Sequence, residues 1–139
     1  MSSAPVQRDT TIATLHRVAP YLLEVVYKPG CFLSTSGLGE VAQVRRSLMG
    51  TSPHAMLSLI PEDSDFELGA IQVDHLSKDR EKGVLLAIAI VTRANMIEMM
   101  LKLYFSYYPW LNRILVTDNE KEARSWIAGQ LRELRIQGA

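Results

Sequence analysis

Apolar positions along this chain follow two different rhythms. Over residues 12–18 and 21–28 they run at strand length, and in the second stretch Val25 and Tyr27 face opposite to Glu24, Val26 and Lys28. A break at Ala19 and Pro20 joins these stretches as an antiparallel hairpin. After Pro29 and Gly30 the rhythm changes. Leu38, Val41, Ala42, the stem of Arg45, Leu48 and Met49 recur at three- and four-residue steps, which predicts an amphipathic helix ended by Gly50. Between Pro53 and Pro61 the run HAMLSLI predicts a short strand, and the acidic EDSD that follows leads into a second helix over residues 66–76.

Residues 83–134 carry the strongest pattern. GVLLAIAIVT at 83–92 has no polar alternation, which suits a central strand covered on both faces. RANMIEMMLKLYFSYYPW continues as a helix and NRILVTDN as a strand. EKEARSWIAGQLREL forms a last helix that buries Ala123, Trp126, Ile127, Leu131 and Leu134. Its start is capped by a Thr117–Glu120 box, by Asp118 or by Asn119. From residue 55 onward strands and helices alternate, so the sheet is parallel there. The class is α/β (α+β), a mixed sheet of about five strands starting with an antiparallel hairpin, with about four helices. Residues 1–10 lack periodicity and are expected to form a flexible tail, with residues 11–139 as a single domain.

The helix at 95–108 is apolar around most of its circumference. On a helical wheel Asn95, Glu98, Lys102 and Ser106 share a stripe roughly 80° wide, and the rest is Met, Leu, Ile, Phe and Tyr. Packing on one sheet needs only ~100° of apolar surface. Met96, Met99, Met100, Leu103, Tyr104, Tyr107 and Tyr108 are therefore candidates for an interface or a ligand groove, in addition to burial against neighbouring elements. A homo-oligomer, most simply a dimer, is expected, and a small apolar or lipid-like ligand is the alternative occupant.

Bulk composition narrows the partners. Lys plus Arg and Asp plus Glu are 15 each, so no global field favours nucleic acid or an anionic membrane surface. No apolar run reaches the ~18 residues of a membrane span, so no membrane insertion is expected. A single cysteine, Cys31, closes no intrachain disulfide, and a reducing cytoplasmic setting is expected.

Candidate chemistry is sparse. Gly37, Gly39 and Ala42 spell G-x-G-x-x-A at a helix start, but residues 30–36 separate them from the preceding strand, which carries Glu24 and Lys28. That disfavours a dinucleotide site. In a parallel sheet the loops after the strands converge, which gathers Asp63, Thr92, Arg93, Thr117 and Asp118 on one rim, together with Glu62 and Ser64. Most of these sit where helix caps belong, and capping accounts for them without chemistry. His16, His54 and His75 lack metal-ligand spacing, so neither a metal nor a cofactor is assigned. An enzyme using Asp63, Arg93 and Asp118 is the minor alternative to a non-enzymatic protein, because the rim lacks a matched acid, base and nucleophile.

Hairpin strands ending in YKPG, a helix, a strand with an acidic exit, and the run from GVLLAIAIVTRANMIEMM to EARSWI resemble the bacterial STAS-like proteins, which are compared with anti-sigma-factor antagonists. The resemblance spans roughly residues 12–132. It implies a STAS-like sandwich, a homodimer and a regulatory protein-interaction role without a catalytic motif. It also implies a candidate phosphorylation site at Ser64, although the family's Asp-Ser-Ser/Thr-Gly signature is replaced by Glu62-Asp63-Ser64-Asp65. A phosphate there would meet like charge.

Overall fold

In the computed structural model, residues 6–67, 69–70, 79, 82–107 and 113–136 are described, without the side chains of residues 103, 104, 106 and 107. The main sheet is six-stranded. Its strands are β1 (Val6–Asp9), β2 (Ala13–Ala19), β3 (Leu22–Tyr27), β5 (His54–Ile60), β7 (Leu85–Thr92) and β8 (Ile114–Thr117), in the order β1-β2-β3-β5-β7-β8. The first two pairings are antiparallel and the remaining three parallel. A separate parallel pair joins β4 (Phe32–Leu33) to β6 (Asp65–Phe66). Three helices have defined bounds among the described residues: α1 (Thr35–Met49), α2 (Asn95–Tyr107) and α3 (Glu120–Glu133).

The hairpin, the helix after it and the parallel strands lie where the apolar rhythm places them. Three expectations change. Val6–Asp9, assigned to the tail, is an edge strand paired with Thr14–Arg17. All four of its side chains are exposed. What holds it is the backbone ladder, aided by Thr14 Oγ1 donating to Asp9 at 2.9 Å and Lys28 Nζ at 3.1 Å from the same carboxylate. The sheet therefore has six strands rather than about five. The helix expected over 66–76 does not begin at Phe66, which pairs with Leu33 in β6. Gly69 and Ala70 are helical, residues 68 and 71–76 of that expectation lie outside the described residues, and three helices have defined bounds against about four expected.

Alternation inside the apolar strands sorts the core into two layers. In β7, Ala87 and Ala89 face α3, while Ile88 and Ile90 face α1 and α2. β5 does the same, with Ala55 and Leu57 toward α3 and Met56 on the other side. Small Ala side chains let α3 seat Ala123, Ile127 and Leu131 against the sheet. Across the opposite face, Leu23, Val25 and Ile88 meet Val41, Leu48 and Met49 of α1 and Ile97 of α2.

Candidate functional site

The expected rim is real as a place in the fold. Ile60 pairs with Thr92 and Val91 with Thr117, so the ends of β5, β7 and β8 are aligned. Its side chains are occupied locally. Thr92 Oγ1 accepts from Ala94 N at 3.1 Å and Thr117 Oγ1 accepts from Asn119 N at 3.1 Å, each satisfying a backbone donor just before a helix. Asp63 turns the other way and accepts from Gly30 N at 2.9 Å, tying the exit of β5 to the loop after β3. Asp118 follows β8, two strand spacings from β5, or about 10 Å across the sheet. Arg93 and Asp118 are exposed. The rim thus brings Thr92 and Thr117 together but leaves Asp63 and Asp118 apart.

Ser64 also stands differently from the expectation. It precedes β6 rather than a helix, and its hydroxyl lies 3.5 Å from Cys31 Sγ. A phosphate on it would have Glu62, Asp63 and Asp65 as sequence neighbours, and β6 rather than a helix follows it directly. The G-x-G-x-x-A segment is explained by packing. Gly37 lies within the first turn of α1, where a Cβ would fall 2.9 Å from Ile12 Cδ1 and 3.0 Å from Ser34 Oγ. Ser34 needs that approach, since its hydroxyl caps α1 by accepting from Gly37 N.

On α2 the apolar excess divides. Ile97, Leu101 and Phe105 pack on the core with Ala94, at three- and four-residue steps. Met96 and Met99 point outward, 61% and 57% exposed, and Met100 is half-buried. Lys102 pairs with Glu98 at 2.9 Å along the polar stripe. The side chains of Leu103, Tyr104 and Tyr107, and all of Tyr108, lie outside the described residues.

Beneath α1 and α2 lies a feature that periodicity does not reveal, a cavity of about 150 Å³ against the sheet. Its floor is Met56, Ser58 and Ile60 of β5 with Ile88 and Ile90 of β7. Leu38, Val41, Ala42 and Arg45 of α1 form one wall, and Ile97, Leu101 and Phe105 of α2 another. Phe66 and Tyr27 also line it. Most of this surface is hydrocarbon. The polar side chains are Tyr27, whose phenol burial pushes well above its ordinary pKa, Ser58, which is buried, and Arg45.

Arg45 is the unusual member. It is 2% exposed, and its Nη2 donates to Asp79 at 2.6 Å. Asp79 Oδ2 is shared with Arg46 Nε at 3.3 Å. Burial lowers the pKa of Arg45, with Asp79 opposing the shift. Burial alone would raise Asp79, but the two guanidiniums outweigh it and hold the carboxyl below its ordinary value. The sequence placed the Arg45 stem on the buried face of α1. An arginine among apolar helix positions was the signal, and its partner, 34 residues away, was not readable.

Among the described residues no group of three or more His, Cys, Asp or Glu side chains is arranged to hold a metal ion. No helix among them is long and apolar enough to cross a membrane. No family model matches the chain, and no curated protein matches it. The chain is similar to a crystallographically solved protein from Shewanella loihica PV-4, described as an uncharacterised member of the DUF3478 family with a SpoIIAA-like fold. Their sequence identity is 16% and the TM-score 0.49, over 89% of this chain and 92% of that one.

Proposed function

We propose that this protein is a non-enzymatic binding module of STAS-like architecture that takes a small apolar ligand between its sheet and the α1–α2 layer. The cavity of about 150 Å³ carries this reading. Dry apolar cavities of roughly this size accept a benzene-sized guest. The polar rim supports the non-enzymatic part, since Thr92, Thr117 and Asp63 are engaged with backbone donors rather than with one another. Methyl NMR of Ile88, Ile90 and Ile97 during titration with hexan-1-ol tests the site. Saturable shifts at these methyls are expected, and their absence at millimolar ligand would overturn the reading.

Self-association is the second reading, favoured by the outward Met96 and Met99. Light scattering at micromolar concentration is expected to give a dimer mass that Met99→Lys lowers. A strictly monomeric native chain removes this reading and leaves the cavity untouched.

A further inference from the structure

We infer that the occupant of the cavity is a small apolar carboxylate whose head is taken by Arg45. This rests on the cavity being a ligand site and adds the chemistry of the ligand. Met56, Ser58 and Ile60 line the cavity at two-residue steps, so it runs along β5 for about 13 Å, four residues at ~3.3 Å each. Arg45 marks the end near Met56, because the backbone oxygen of its partner Asp79 accepts from Val84 N at 2.9 Å and the Val84 oxygen accepts from His54 N at 2.8 Å, at the start of the same strand. Tyr27, the last residue of β3, and Phe66, in β6 beyond the end of β5, mark the other. Such a site is charged at the Arg45 end and largely hydrocarbon along its floor, with the Ser58 hydroxyl partway and the Tyr27 phenol at the far end.

The charge at that end is positive. A guanidinium carries five N–H donors in a rigid fork. Arg45 is nine-tenths buried and more, and among the described residues Asp79 is the acceptor recorded for it, on one nitrogen. Asp79 divides the same oxygen between Arg45 and Arg46, so it neutralises Arg45 only in part. A planar carboxylate matches the arginine fork and would balance the charge that the shared Asp79 leaves. Arg45 contributes to the cavity wall, so an acceptor held in the cavity lies against its side chain. An amine would meet like charge there, and an alcohol would satisfy one donor without neutralising the cation.

The test compares hexanoate, hexan-1-ol and hexylamine on the full chain by calorimetry, with the Ile88, Ile90 and Ile97 methyl shifts locating each ligand. Hexanoate is expected to bind on the order of tenfold more tightly than hexan-1-ol, the worth of one charge-assisted hydrogen bond, and hexylamine weakest. In Arg45→Met the hexanoate preference is expected to collapse. If that variant does not fold, the ranking on the native chain still decides. Equal binding of hexanoate and hexan-1-ol overturns the carboxylate assignment while leaving the apolar site standing. Failure of all three to shift the cavity methyls overturns the site itself.

Discussion

His54 is the residue where the protein's pH response is written most directly. It is fully buried at the head of β5, with Nδ1 2.8 Å from the Ser52 carbonyl oxygen, so the proton sits on Nδ1 and Nε2 is bare. That Nε2 is buried without a hydrogen-bond partner. Burial depresses the ring's pKa, the Ser52 carbonyl opposing and the nearby Arg45 adding to the shift. Unfolded, the ring takes its proton near pH 6.5; folded, it resists until lower pH. Between those two values the unfolded chain binds more protons, so stability falls as pH drops through that window and the loss levels off below the folded pKa. His54→Asn keeps a side-chain N–H for Ser52 but cannot titrate. Its melting temperature is expected to change less than the native protein's between about pH 7 and pH 5. An unchanged pH slope in the variant would assign the effect to other groups. In the sequence this histidine showed only a lack of metal-ligand spacing, since HAMLSLI says where the strand is but not that its first side chain is closed over.

At the scale of elements, legibility followed burial. β7 was readable because both faces are covered, and even its Ala-Ile alternation, small toward α3 and large toward α1 and α2, lay in plain view. β1 was not readable, because a strand held by its ladder with every side chain exposed leaves no apolar signature. Helix ends fall between these cases. Three caps were compatible with the start of α3, and the backbone selects Asn119, which is extended at φ −118° and ψ 107° and whose side chain accepts from Glu122 N at 3.0 Å. Thr117 supports the turn by accepting from Asn119 N instead of closing a box with Glu120. Asn119→Ala is expected to lower stability by about 1 kcal/mol in urea unfolding, and Asp118→Ala by far less. Equal losses in the two variants would mean that the cap had been assigned to the wrong residue.

Only the whole molecule shows the cavity, since it is what remains when α1, α2, β5 and β7 are brought together, and no single element's periodicity records a missing volume. A natural core packs to crystal-like density, so a partly open pocket of about 150 Å³ forgoes contacts that its walls would otherwise make. Such a space persists at a stability deficit, which is the usual relation between a binding site and the fold that hosts it. Ser58 tests that relation. It lies on the floor, buried, in a parallel strand flanked by Val25 and Ile90. Ser58→Val replaces a hydroxyl by methyl groups, suits the strand backbone and extends hydrocarbon into the cavity. The variant is expected to gain about 1 kcal/mol in unfolding free energy and to bind hexan-1-ol several-fold more weakly. Both changes must appear together, because one volume is responsible for both. Greater stability with unaltered binding would place the ligand elsewhere. A loss of stability would mean that neighbouring side chains already occupy the space or that the Ser58 hydroxyl is held in place, and the cavity would then lose its claim to be a site.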